Sequence, residues 1–450
     1  MFLAGCRRLA CATNTFSRFG SSFARLGLCS LLAIGGASAA EATAMAPEYL
    51  DYIRANVASR HEVEVFINDG GWAKFDPELG YILGNSMPHD GFEKSMTLST
   101  AQANGARRSF MYPARPCRIN TYGDSFTQCH QVNDGETWQE YLAGHLGEPV
   151  RNFGMGGYGV YQAYRRLLRE ETTDHGAEYL VFYLWGDDHI RSLLRCRYMN
   201  FREWTARQTE IEGEGVMFHG NFWPNIEMDL ATGKMVEHES RIRTAADVYN
   251  MTNPDWMAEN MRGDLALQMS LYKKGLIRAP DWEALRKLAG WLDFAVNWDD
   301  PARRDDAITG LLDAYSFAAT KYILTKAQAF AAAQHKKLLV VLFDPNRVTR
   351  SLLAGETSRY DQPVVDFLAQ HNFKVFDMNL VHVADFKAFN LSIDRYYDRY
   401  FIGHYSPAGN HFFATAIGAT IADWLDPKPI IYRTDQHQTT DFKGYLEGHN

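Results

Sequence analysis

The sequence predicts a three-layer α/β/α fold, with helices on both faces of a five-stranded, mainly parallel sheet. Three observations carry this expectation. From residue 118 onward, short apolar runs alternate five times with segments of helical spacing. One run, "YLVFYLWG" at 179–186, is apolar throughout, as suits a parallel strand buried on both faces. The first three strand-like runs each end at a glycine, the residue that punctuates a strand tip.

Taken in order, residues 41–115 read as an N-terminal extension. It opens on a short helix, "EYLDYIRANVASR", and continues through turn-rich segments with β-like pieces such as "FDPELGYILGNS". The alternation then begins. "RINTYG" is a strand, and "ETWQEYLAGHL" is a helix with Trp138, Tyr141, Leu142 and Leu146 on one face. "PVRNFG" is a second strand, "YQAYRRLLREE" a helix, and "YLVFYLWG" the third strand. Residues 190–312 break the pattern and read as a long, partly helical insertion rich in aromatic and charged residues. The alternation resumes with the helix "AYSFAATKYILTKAQAFAAAQHK", the strand "KLLVVLFDP", the helix "VVDFLAQHN" and the strand "FKVFDMN". A last helix, "SPAGNHFFATAIGATIADWL", has Ser406 as its cap and Pro407 in its first turn. The main domain then runs from 116 to 430, followed by a C-terminal tail at 431–450.

The chain has 450 residues, 46% hydrophobic and 22% charged, with a net charge of −8. That is globular composition, and the acidic balance argues against a nucleic-acid partner. Residues 1–40 contain four arginines and no acidic residue, and end in "LGLCSLLAIGGASAA". Ala37-Ser38-Ala39 fits a cleavage site for a secretory signal peptide, which places the mature protein in a periplasm or outside the cell. After position 41, no run approaches the roughly 20 apolar residues needed to span a bilayer. Of six cysteines, Cys117, Cys129 and Cys196 lie beyond the signal. Cys117 and Cys129 would sit at opposite ends of the first strand. Cys129 and Cys196 would both follow strand tips and make the better disulfide pair. No C-x-x-C or H-E-x-x-H spacing occurs, so neither a metal nor a cofactor is expected.

In a sheet of this kind, ligands sit beyond the carboxyl ends of the strands. The residues there are Gly123-Asp124-Ser125, Gly154-Met155-Gly156-Gly157 and Gly186-Asp187-Asp188. His404 lies just before the last helix. Ser125 at a strand tip is exposed to a substrate, and a base beside it could make it a nucleophile. Taken singly, Ser125 reads equally as a helix cap, Gly157 as a tight turn and His404 as a surface residue.

Together, the blocks "YGDSFT", "NFGMGGYG" and "HYSPAGNHFFA" resemble those of the SGNH (GDSL-type) hydrolase superfamily. The resemblance covers about 118–190 and 335–425. It implies a flavodoxin-like sheet, Ser125 as nucleophile, His404 as base, and an oxyanion hole from Ser125 and Gly157. The family's third oxyanion donor is an asparagine, and this chain has Asp187 there. An ionised carboxylate only accepts hydrogen bonds, so Asp187 serves as a donor only when protonated. The family's acid, two or three residues before the histidine, is replaced by Phe401 and Ile402. Asp398, or Asp394, could orient His404 from further back; otherwise a backbone carbonyl does so, in a Ser–His dyad.

The resemblance implies an exported serine esterase that removes an acyl group, most simply acetyl, from an ester. The tryptophans of the insertion, Trp204, Trp223, Trp256, Trp282 and Trp291, could wall a cleft for a carbohydrate ester, or could form the insertion's own core. Two other readings stand beside it. One is an O-acyltransferase that passes the acyl group to a saccharide hydroxyl from the same serine. The other is a non-catalytic glycan-binding protein on a decayed hydrolase scaffold.

Overall fold

At the centre of the computed structural model, which describes residues 46–68, 71–202 and 220–433, five parallel strands lie side by side. They are β1 (Ile119–Tyr122), β2 (Arg151–Asn152), β3 (Tyr179–Trp185), β4 (Lys337–Phe343) and β5 (Lys374–Asp377), in the spatial order β2-β1-β3-β4-β5. That is the flavodoxin-like order, with its topological switch between β1 and β3. The segment read as a signal peptide, residues 203–219 of the insertion and the tail beyond 433 lie outside the described residues.

The strand β3 explains the uninterrupted apolar run. It pairs with β1 through Ile119–Tyr122 and with β4 along its whole length, Tyr179 opposite Lys337 to Trp185 opposite Phe343. Its alternate side chains feed two separate cores. Tyr179, Val181 and Tyr183 join one, while Leu180, Phe182 and Leu184 join the other.

Each core is closed by helices. On the Val181 face lie α2 (Trp138–Leu146) and α7 (Pro407–Trp424), through Trp138, Leu142, Phe413, Ile417 and Ile421. Each such fully buried side chain contributes about 1.5–3 kcal/mol relative to exposure. On the Leu180 face lie α3 (Val160–Glu171), α5 (Pro301–Ala333) and α6 (Gln362–Gln370). Ser406 caps α7 by accepting from the Gly409 N–H at 3.2 Å, with Pro407 as its first residue.

Three sequence expectations differ from the fold. The helix α5 begins at Pro301, inside the stretch read as insertion, because Asp300 caps it by accepting from the Ala302 and Arg303 N–H groups. Two helices, Met378–Phe386 and Ile393–Tyr400, occupy the stretch between β5 and α7 that was read without secondary structure. The strand β2 keeps only two residues: Pro149 lacks a ladder donor, and the Asn152 side chain turns back to take the Gly154 N–H.

The edge beside β2 is covered by the extension. Arg107 forms an antiparallel bridge with Asn152, its N–H donating to the Asn152 carbonyl at 2.8 Å. Further back, the helix Ala46–Ala55 packs on Pro254–Met261 of the insertion, and Tyr49 donates to the Met261 carbonyl. Residues 73–76 and 80–83 form an antiparallel hairpin. Among the described residues, no helix is long and apolar enough to cross a membrane.

Candidate active site

Ser125 opens α1 (Ser125–Gln128), a single turn placed at the tip of β1. Asp124 caps that turn, its carboxylate accepting the Phe126 N–H at 2.9 Å. The turn after β2 seats directly on it. A Cβ at Gly154 would meet the Gln128 nitrogen at 2.2 Å, and the Met155 N–H donates to the Gly123 carbonyl at 3.0 Å. Glycine at 154 is therefore what lets the two strand-tip turns touch.

His404 arrives from the far end of the chain. A bridge between Phe401 and Tyr405 pinches its loop, and Ile402 N–H donates to the His404 carbonyl. Beneath lies an aromatic bed in which Phe126 packs 5.0 Å from the His404 ring. His404 Nε2 stands 2.8 Å from Ser125 Oγ, across 279 residues of sequence. Both side chains are only partly buried, so a substrate can reach them.

The proton arrangement follows from Gln131. Its Oε1 receives the His404 backbone N–H at 2.8 Å and also faces His404 Nδ1 at 2.8 Å. The Gln131 amide nitrogen donates to the carbonyls of Asp90 at 2.9 Å and Ile402 at 3.2 Å. An atom that accepts a backbone N–H is an oxygen, and it cannot donate, so Nδ1 carries the imidazole proton. Nε2 is then the bare nitrogen that accepts from the Ser125 hydroxyl. Burial, followed by His130 and Arg191, pushes the imidazole down to about 3, with Asp90 opposing. It is uncharged at neutral pH.

Asp398 does not take the orienting position. Its side chain is 68% exposed on the outer helix and faces Arg395 at 3.8 Å. That helix turns its buried side, Tyr396 and Tyr400, inward and its acids outward. Asp394 likewise pairs outside, with Arg350. Gln131 holds the orienting position instead, six residues after the serine. Its backbone is left-handed at φ 72°, as is Cys129 at φ 61°. Such non-glycine conformations cost about 1–3 kcal/mol each and need external support. Arg107 supplies it by donating to the carbonyls of Gln128, Cys129 and Val132 and pairing with Asp134 at 2.9 Å, both side chains 1% exposed.

On the other side of the serine, Gly157 is buried with φ +84°. Neither its N–H nor that of Ser125 has an acceptor among the described residues. Asp187, in contrast, is 58% exposed and lies 3.8 Å from Arg191. Its neighbour Asp188 is the buried acid, accepting the Trp185 N–H at 3.0 Å and pairing with Arg191 at 3.0 Å. Burial raises Asp124 to about 6 and raises Asp188 well above the usual carboxylate range, each opposed by Arg191. Asp188 braces the tip of β3, whereas Asp124 Oδ2 also lies 3.4 Å from Ser125 Oγ.

The tryptophans at the serine are not those of the insertion. Trp223 is fully buried, and Trp256 and Trp282 pack on the insertion's own core. Trp291 is 50% exposed, and Trp204 lies outside the described residues. Trp72 of the extension approaches instead, 5.6 Å from the His130 ring and against Gly156. His130 in turn pairs with Asp90 at 3.1 Å and lies 5.1 Å from the His404 ring.

The three cysteines described are all free. The pairing of Cys129 with Cys196 fails for a simple reason: Cys129 lies in the core on one face of the sheet and Cys196 in the core on the other. Burial pushes both thiols up to about 12. Among the described residues, no cluster of three or more His, Cys, Asp or Glu could hold a metal ion.

No protein-family model matches the chain, and no curated protein matches it. Among solved structures, a crystal structure of a member of the lipolytic protein G-D-S-L family from Veillonella parvula DSM 2008 is similar at 12% identity and a TM-score of 0.30. The match covers 68% of this chain and 97% of that one.

Proposed function

We propose that the chain is an exported serine esterase of SGNH type, with Ser125 as nucleophile and His404 as general base. The observation that carries this is the 2.8 Å contact between Ser125 Oγ and the unprotonated His404 Nε2, its tautomer set by Gln131. His404 Nε2 takes the hydroxyl proton as Oγ bonds to the ester carbonyl carbon. The N–H groups of Ser125 and Gly157 receive the oxyanion. Collapse breaks the bond to the alcohol oxygen, which leaves with the proton from His404. Water then attacks the acyl-enzyme, giving its proton to His404, and the acid is released as Oγ regains a proton.

A carbohydrate ester with a small acyl group is the substrate class proposed. A saccharide acceptor in the assay distinguishes hydrolysis from transfer: free acid as the product supports the esterase, and an acylated saccharide supports the O-acyltransferase. The Ser125–His404 hydrogen bond gives the purely binding reading no support, since glycan recognition does not need it.

The test uses the mature protein and an activated acetyl ester. Ser125→Ala should lower turnover by at least about 1,000-fold and remove covalent labelling by a fluorophosphonate. Wild-type turnover equal to that of the alanine variant, with no label on Ser125, rejects the reading.

A further inference from the structure

We propose that Asp90, from the extension, supplies the counter-charge of the site: its carboxylate, held on the His130 ring, stabilises the imidazolium that forms when His404 takes the Ser125 proton. This rests on the esterase reading. Asp90 is a positioning residue, since it meets His404 only through its neighbours. Two bridges of one residue each make the link. Along the first, Asp90 Oδ2 lies 3.1 Å from His130 Nε2, and the His130 ring lies 5.1 Å from that of His404. Along the second, the Asp90 carbonyl accepts the Gln131 amide at 2.9 Å, and Gln131 Oε1 faces His404 Nδ1 at 2.8 Å. The carbonyl bridge fixes an orientation, and the carboxylate bridge brings a charge.

A hairpin delivers that carboxylate. Ser86 bridges Ser99, and the Thr97 N–H donates to the Pro88 carbonyl at 2.9 Å. Side chains alternate across such a ladder, so Asp90 and Thr97 turn inward while Met87, Met96 and Leu98 face solvent. Thr97 Oγ1 donates to Asp90 Oδ1, which leaves Oδ2 for His130. Burial works against the charged form of Asp90, but the hydrogen bonds from His130 and Thr97 outweigh it and hold the carboxyl below its ordinary value. It is ionised at neutral pH. An ionised carboxylate only accepts, so His130 Nε2 carries a proton toward it.

His404 needs such a charge. Burial, His130 and Arg191 all disfavour its protonated form, and Asp90 opposes them. The other carboxylates nearby are committed. Asp124 caps α1 through the Phe126 N–H and is raised to about 6 by burial, and Asp188 pairs with Arg191. Asp394 and Asp398 pair with arginines on the outer helix side. In the acylation step the Ser125 proton passes to His404 Nε2 as Oγ bonds to the carbonyl carbon. No proton reaches His130 or Asp90. The carboxylate acts only as the imidazolium charge appears, so it favours the transition state over the bound ester.

The experiment compares wild type with Asp90→Asn, Asp90→Glu and His130→Gln on an activated acetyl ester. Rates are referred to the serine that a fluorophosphonate titrates, so a partly unfolded sample still reports on its folded fraction. Thermal melts are run in parallel. Asp90→Asn keeps the backbone carbonyl on Gln131 and removes the charge. It should lower kcat by about 10–100-fold with KM within about twofold. Asp90→Glu, which keeps the charge, should recover at least about threefold of that loss. His130→Gln leaves the carboxylate in place and should cost at least about threefold less than Asp90→Asn. A kcat for Asp90→Asn within about threefold of wild type overturns the proposal while the esterase stands. Equal losses in Asp90→Asn and His130→Gln, with no recovery in Asp90→Glu, also overturn it, because the pair is then only a clamp on the loop. A wild type that neither turns over the ester nor takes the label removes the esterase reading itself, which is a separate outcome.

Discussion

The N-terminal extension and the insertion both lie outside the alternating strands and helices, and both pack against the strand-tip turns near the serine, but by different means. The extension acts through backbone. Arg107 grips three carbonyls of the loop after Ser125, and the Asp90 carbonyl holds the amide of Gln131. The insertion acts through one side chain, Arg197, laid against Gly157. Most of its remaining bulk, including Trp223, Met251, Met257 and Leu271, closes its own part of the core. Beside His404 Nδ1, where the resemblance implies an acid, the structure places a glutamine latched to the extension. A conformation held by backbone hydrogen bonds fails as a unit, whereas one donated side chain fails alone.

The sharpest test of that contrast is Arg107→Met. It leaves Asp134 without its ion-pair partner at 1% exposure and the Cys129 and Val132 carbonyls without a donor, while the Gln128 carbonyl keeps the Asn152 amide. The expected cost is about 3–5 kcal/mol, read as a lower urea midpoint at unchanged slope. A loss below about 1 kcal/mol would show that the loop holds its left-handed residues without the extension.

Next in size is Gln131→Met. It removes the acceptor from Nδ1, so the imidazole can rotate or change tautomer. A drop in kcat of about 100-fold or more is expected. The melting temperature should change far less than in Arg107→Met. Comparable loss of stability in both variants would merge the positioning role into the structural one.

The pH profile sharpens the role of burial. A base held at about 3 remains unprotonated on acidification, so kcat/KM should stay level through pH 6.5, the ordinary histidine value. An inflection near 6.5 would show that burial does not govern His404. The rate is a better readout here than stability. His404 and His382, both pushed down to about 3 chiefly by burial, take up protons first in the unfolded chain, so their contribution to stability falls as pH drops below about 6.5. Asp124 and Asp264, raised to about 6 by burial, take up protons first in the folded chain and oppose that loss between about 6 and 4.

The smallest effect expected is that of Asp398→Asn. Its carboxylate is exposed and 3.8 Å from Arg395, so activity should stay within about twofold and stability within about 0.5 kcal/mol. A large loss of activity would return the orienting role to the outer helix.

His382 shows why a buried histidine does not identify a catalytic one. It too is depressed to about 3, but its nitrogens meet Tyr396 and Tyr405 hydroxyls at 3.0 and 2.7 Å, inside the aromatic bed. What separates His404 from it is the partner on Nε2, and that partner is 279 residues away.

The layer architecture and the strand tips were legible in the residues themselves. Apolar runs, helical spacing and the glycines that end strands are local consequences of backbone geometry and burial, so they survive without an alignment. Ser125, Gly157 and His404 were singled out only by the resemblance of their three blocks taken together, since singly they read equally as a cap, a tight turn and a surface residue. Gln131, Arg107 and Asp90 were not. A glutamine, a loop carbonyl and an arginine have no characteristic spacing, and each acts on a segment it meets only when the chain is folded. The choice of Gln131 over Asp398, and the separation of Cys129 from Cys196 by the sheet, were decided by tertiary structure alone. Hydrogen bonding and covalent pairing act over about 3 Å of space, and separation along the chain does not report that distance.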